Sequence, residues 1–186
     1  MIFRVYNPCK PIKYGIKSYI CADSVSSYCW NLRVYDGEGQ TIKETVLDLL
    51  DGLLGKNHQL FCDNFYNSVG LSEYLLANGM HSTGTLRANR GEPQEIREAG
   101  KAPRPKMKKG EIVSADNGSV TVIAWQDNRK VTVLTTAHDD STETVSIRKR
   151  GGGFDDVDKP VAIVEYNKYM SGKILSLLRF WIIFSW

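Results

Sequence analysis

The stretch that decides the fold is LFCDNFYNS, Leu60 to Ser68. Three strand-forming residues lead into an Asp-Asn pair, and Phe65 follows the break. Charged side chains are seldom buried unless paired or metal-bound. An aspartate at the mouth of an apolar run is therefore a turn former, a helix cap or a metal ligand aimed into a cleft. From the bare residues, the turn or cap role for Asp63 is favoured over the ligand role.

Outward from this stretch, HQLFCD reads as a short interior strand. The segment before it, TIKETVLDLLDGLLG (41–55), predicts a helix. Thr41 and Glu44 have capping-box spacing, and Ile42, Val46, Leu49, Leu50 and Leu53 form one apolar stripe. Gly55 is placed to end that helix in a left-handed turn. After the strand, NSVGLSEYLLANG (67–79) predicts a second helix, capped near Asn67 or Ser68 and stopped at Gly79, and MHSTGTL (80–86) another strand. Upstream, KYGIKSYICADS (13–24) and CWNLRVYDGEG (29–39) suggest an antiparallel hairpin, with Asp23 as its turn residue. The order β-β-α-β-α-β is mixed α/β, and one further strand before Met1 would complete a common β-β-β-α-β-α-β arrangement.

The character changes at Ala88. Residues 87–109 hold eight Lys/Arg against three Glu, so this window carries +5 and the rest of the chain −2. Three prolines punctuate it, which predicts a loop or extended arm. A segregated basic run is an electrostatic footprint for phosphates, although solvated loops share the pattern. GEIVSAD, SVTVIAWQ and KVTVLTTAH then predict a three-stranded meander in which Trp125 packs. SIRKRGGGFDDVD (146–158) reads as linker, so Asp155, Asp156 and Asp158 are expected on no rigid element.

Composition sets broad limits. With 186 residues, 42% hydrophobic and 24% charged, the chain has the makings of a globular fold with a real core. The four cysteines have no CxxC spacing and lie far from the three histidines, which disfavours a zinc site; reduced thiols inside the cell are the simpler reading. The final KILSLLRFWIIFSW (173–186) is apolar, but fourteen residues fall short of the about 20 a spanning helix needs. No membrane role is expected from it. It reads as a core-packing or amphipathic end, or as sequence outside selection.

Six segments together resemble the piggyBac transposase family: NPCKPIKYGIK (7–17), CADS (21–24), LLGKNHQLFCDNFYNS (53–68), GTLRANR (84–90), VTVLTTAHDD (131–140) and VEYNKYMSG (164–172). The resemblance implies an incomplete RNase H-like mixed sheet with flanking helices, a DDE transposase core, interrupted by a β-rich insertion domain. Its parts would be a partial core at 1–87, a basic arm with the insertion at 88–157, a return segment at 158–172 and an atypical apolar tail at 173–186.

The same resemblance implies that Asp63 is the second catalytic aspartate and a ligand to Mg. Arg87 and Arg90 would contact DNA, and Arg104, Lys106, Lys108 and Lys109 would extend that basic face. DNA is the implied partner, a homodimer the implied assembly and the nucleus the implied location. Basic clusters at Lys106–Lys109 and Arg148–Arg150 add to the last expectation. The family's first aspartate lies upstream of the residues resembling Phe3-Arg4-Val5. Its third follows the YNKYMSG segment as Gly-Val-Asp, where this chain has Lys173-Ile174-Leu175-Ser176-Leu177. The break at Gly172 is expected to reflect a frameshift, a retained intron or a wrong splice junction. The ancestral activity is metal-dependent DNA cleavage and strand transfer, and one carboxylate of three predicts that this chain does not catalyse it. The alternative reading is a domesticated, non-enzymatic DNA-binding protein that uses the arm at 87–109. A bare inner edge where the first strand is missing would make the fold prone to aggregation.

Overall fold

The computed structural model describes residues 4–8, 11, 13–37, 39–101, 105–148 and 151–170, together with the backbone of 181–185. In chain order the elements are β1 (Arg4–Tyr6), β2 (Tyr14–Ile16), β3 (Ser18–Asp23), β4 (Cys29–Val34), α1 (Ile42–Leu49), β5 (Gln59–Cys62), α2 (Val69–Ala77) and β6 (His81–Thr85). They continue as α3 (Gln94–Glu98), β7 (Ile112–Asp116), β8 (Thr121–Gln126), β9 (Lys130–Thr135), β10 (Thr142–Arg148), β11 (Phe154–Pro160), α4 (Val161–Met170) and β12 (Trp181–Ser185). Eight strands form one mixed sheet in the order β4-β3-β12-β5-β6-β9-β8-β7. β5 and β6 run parallel, as a strand-helix-strand crossover through α2 requires. β6 and β9, and then the meander β9-β8-β7, are antiparallel. The expected meander thus forms as a continuation of the same sheet.

Local chemistry explains the elements that position the site. Thr41 and Glu44 close a reciprocal capping box, and the Ser68 side chain accepts the Leu71 N–H at the start of α2. α1 ends earlier than its apolar stripe suggests. Gly52 has φ +77°, a left-handed conformation no helix interior allows, so Leu50 and Leu53 reach the core from a turn instead. Tyr19 and Cys21 of β3, Leu60 and Cys62 of β5, Val46 and Leu49 of α1, and Leu71 and Leu75 of α2 share one core. β8 is covered on both faces. Val122 and Ala124 pack with Ile96 of α3, while Ile123 and Trp125 pack with Ala162 and Ile163 of α4. Its near-continuous apolar run has this cause.

Three expectations are corrected. Part of the basic arm is helical, because α3 buries Ile96 against the meander and Arg97 donates to the carbonyls of Ala88 and Glu92. Residues 154–158 are no linker. β10 and β11 pair over seven registered positions as a two-stranded ribbon, and Asp156 and Asp158 accept from Ser146 and Thr144 across it. Nor is the inner edge of β3 bare, because β12 lies against it. Among the described residues, no helix is long and apolar enough to cross a membrane. The residues expected to replace the family's third aspartate, 173–177, lie outside the described residues.

Candidate functional site

Asp63 is the residue after β5, where the chain leaves the sheet. Its Oδ1 accepts the Phe65 N–H at 2.8 Å, and its carbonyl accepts the N–H groups of Tyr66 and Asn67, each at 3.2 Å. The aspartate therefore does form a turn. Unlike a surface turn residue, it is half-buried, and burial pushes its carboxyl above the ordinary range against the pull of the Phe65 N–H, the Arg87 charge and the Tyr66 N–H.

The turn is bolted to its neighbours. Buried Asn67 donates from Nδ2 to the Thr85 carbonyl at 3.1 Å and accepts at Oδ1 from Ser72 Oγ at 3.3 Å. Gly84 of β6 lies so close that a Cβ there would sit 2.3 Å from the Cys62 carbonyl oxygen and 3.0 Å from Asn67 Nδ2. No residue but glycine fits that approach. From below, Lys17 Nζ lies 4.5 Å from the Phe65 ring centre, 4.8 Å from that of Tyr19 and 5.2 Å from that of Tyr35. This cation–π cage ties the turn to the β3–β4 hairpin. From α4, Tyr169 stacks on Phe61 with ring centres 4.8 Å apart, and Tyr166 lies close enough to feel the Asp63 carboxylate. Burial pushes the Tyr166 hydroxyl up to about 12 despite its hydrogen bond with Thr85. Burial also raises the thiols of Cys21 and Cys62, which makes them poor nucleophiles.

The expected basic residues divide. Arg87 is exposed and held to the turn, its Nε donating to Asn64 Oδ1 at 2.8 Å. Arg90 closes the same loop, its carbonyl accepting the Val69 N–H at 3.2 Å and its N–H donating to the Arg87 carbonyl at 3.0 Å. Buried Glu92 anchors the loop's other end, with Lys130 at 3.7 Å and Thr132 Oγ1 at 3.3 Å. Lys106, Lys108 and Lys109 are exposed but lead into β7, four strand steps from β5 and so about 19 Å across the sheet at roughly 4.8 Å per step. Arg104 lies outside the described residues.

The structure thus brings Arg87 to the Asp63 turn, keeps the Arg90 backbone in the same loop, and leaves the lysines on a separate surface. Asp155, Asp156 and Asp158 belong to the β10–β11 ribbon. Among the described residues, no group of three or more His, Cys, Asp or Glu is arranged to hold a metal ion. Sequence reasoning missed the Lys17 cage and the Glu92–Lys130 pair, because both join residues far apart in the chain. Tyr166 lies within VEYNKYMSG, a segment of the resemblance, but sequence reasoning did not single it out.

Three comparisons bear on this geometry. Residues 1–174 match the family model described as Transposase IS4, two residues past the Gly172 boundary read from the sequence. PiggyBac transposable element-derived protein 3 of Homo sapiens is 26% identical over 181 residues, covering 88% of this chain and 29% of that protein. The human chimeric ERCC6-PGBD3 protein matches equally over 88% of this chain and 16% of its own length. The cryo-EM structure of a piggyBac transposase synaptic complex with hairpin DNA superposes with a TM-score of 0.72 at 26% identity, over 92% of this chain and 35% of that one. The chain therefore spans less than a third of the curated relatives it matches.

Proposed function

This chain belongs to the Transposase IS4 family and is of the piggyBac type, and from that premise we propose that it is a DNA-backbone-binding portion of a transposase core that does not cleave DNA by itself. β3 to β6 with α1, α2 and α4 would be the RNase H-like part, and β7 to β11 the insertion. The observation that carries the reading is the loop 84–92. It fixes one exposed guanidinium, Arg87, on the turn that presents Asp63, and ties the Arg90 backbone to Arg87 and to Val69 at the start of α2. Phosphate contacts of this kind position DNA without reading its sequence. The exposed lysines at 106, 108 and 109 would form a second, separate contact surface.

Mg does not fit the described residues. A pair of divalent ions in phosphoryl transfer needs several converging carboxylates. Asp63 offers one, already hydrogen-bonded at Oδ1. No catalytic step is assigned to this chain. Its place of action would be the nucleus, where its DNA partner lies.

The test is the salt dependence of duplex DNA binding. Removing two phosphate contacts by Arg87→Gln with Arg90→Gln should flatten the slope of log affinity against log salt by about 1.8, at about 0.9 per phosphate. An unchanged slope, with wild-type affinity at low salt, would refute the arginine contacts. Loss of slope only in a variant with Lys106, Lys108 and Lys109 all changed to Gln would favour the arm alone.

A further inference from the structure

β12 comes from residues beyond the span that matches the family, yet it sits in the middle of the sheet. It pairs in parallel with β3, from Trp181↔Ile20 to Phe184↔Asp23, and antiparallel with β5, from Ile182↔Cys62 to Ser185↔Gln59. β3 and β5 therefore run opposite to one another. A strand of either polarity placed between them makes one parallel and one antiparallel ladder, so hydrogen bonding in this gap does not select a direction. The gap selects instead for apolar character. Ile20, Cys21, Ala22, Leu60, Phe61 and Cys62, its two walls, are each at most 3% exposed. An insert there is covered on both faces and must be apolar and β-forming, as Trp-Ile-Ile-Phe-Ser is. Without an insert, β3 and β5 would each present an unpaired inner edge, the kind of template that recruits another strand.

We propose that the gap between β3 and β5 is a strand-acceptor site for an extended apolar peptide, that residues 181–185 fill it in cis, and that the same strand of a second copy replaces it in trans. Strand addition draws affinity from main-chain hydrogen bonds, which are identical for the two occupants. Exchange of an identical element is accordingly a low-cost route to a dimer. What separates cis from trans is effective concentration. Ten residues, 171–180, join α4 to β12, and a short tether keeps the cis strand at about millimolar effective concentration. Trans occupancy therefore needs millimolar strand. The site also adjoins Asp63, since Cys62 pairs with Ile182 and the next residue on β5 is the aspartate.

The register supplies a direct test. Position 182 is paired with both Cys62 and Cys21. Direct cross-strand neighbours have Cβ atoms about 4.5–5.5 Å apart, within reach of a disulfide after small adjustment. The full chain carrying Ile182→Cys should, on prolonged oxidation at alkaline pH that overcomes the raised Cys62 and Cys21 thiols, form an intrachain disulfide to one of them. Ser185→Cys, whose partner is Gln59, should not. The wild-type chain mixed with a millimolar synthetic peptide of residues 177–186 carrying Ile182→Cys should gain the peptide's mass at Cys62 or Cys21. Hydrogen exchange of the wild-type chain should show protected amides at 182–184, a readout independent of any variant's folding. Absence of both the intrachain bond and the protection overturns the acceptor site. An intrachain bond without a peptide adduct overturns the exchange. Bonding that persists in urea, or that falls on exposed Cys29 instead, is random thiol collision and overturns both.

Discussion

Asp23 and Asp63 each mark the end of a strand, and they titrate in opposite directions. Asp23 closes β3 and is 5% exposed. Burial alone would raise its carboxyl, but the Ser26 hydroxyl and the N–H groups of Ser26, Val25 and Ser24 outweigh it and hold the carboxyl below the ordinary range. At Asp63 burial also comes first, but fewer donors and the more distant Arg87 charge fail to compensate, and the carboxyl rises. The register puts the two at opposite ends of the sheet, Asp23 beside Phe184 and Asp63 just beyond Cys62. A strand-end aspartate is thus a charge-stabilised turn former where its hairpin supplies the donors, as Ser26 does to Oδ2 of Asp23 while the buried Oδ1 has no hydrogen-bond partner. Where the donors run short, it remains an incompletely compensated charge that a cation could stabilise.

The largest expected effect comes from breaking the Asp63 end alone. Gly84→Ala drives a methyl into the Cys62 carbonyl and Asn67, which should cost about 3 kcal/mol, the upper part of the overpacking range. Urea unfolding would read this loss, while the Asp23 hairpin keeps its amide protection.

Next in size, Asp23→Ala removes a charged acceptor for two Ser26 donors and should cost about 2 kcal/mol at neutral pH. Because the folded carboxyl sits low, its contribution is present above the unfolded value and is lost as pH falls through the folded one. The difference between wild type and variant should therefore shrink in acid, as unfolding curves at stepped pH will show.

Lys17→Met keeps the alkyl stem and removes the cation from between three rings, for an expected loss of about 1 kcal/mol. Near-ultraviolet circular dichroism should report looser packing of Tyr19, Tyr35 and Phe65.

The smallest effect separates the aspartates most sharply. With its folded carboxyl raised, Asp63 subtracts stability as pH climbs from the ordinary carboxylate value through the raised one. Asp63→Asn should be stability-neutral or slightly stabilising at neutral pH and should flatten that slope. A loss as large as that of Asp23→Ala would show Asp63 to be an ordinary turn residue.

Much of this organisation was legible because its causes are local. The capping box at Thr41, the Ser68 cap, the stop at Gly79 with φ +67° and the strand ending at Cys62 all arise from contacts within a few residues. The helix boundary at Leu49 was missed, since an apolar stripe persists through a turn as readily as through a helix. The β10–β11 ribbon was read as a linker because acidic and glycine-rich residues carry low strand propensity, while its cross-strand Ser–Asp and Thr–Asp pairs are visible only once the register is known. β12 was the hardest to foresee. Nothing in an apolar tail says that its partners are β3 and β5. At the site, Asp63, Arg87 and Arg90 are candidates through the resemblance alone, whereas the contacts that hold the turn and its loop, from Asn67, Gly84, Lys17 and Glu92, act over long sequence separations.

The most direct test is residue-resolved carboxyl titration of the full chain by carbon-13 NMR. The account predicts that Asp63 titrates above the ordinary carboxylate value and Asp23 below it. Asp63 titrating at or below the ordinary value would contradict it, leaving a second charge-stabilised turn where the structure places an incompletely compensated charge.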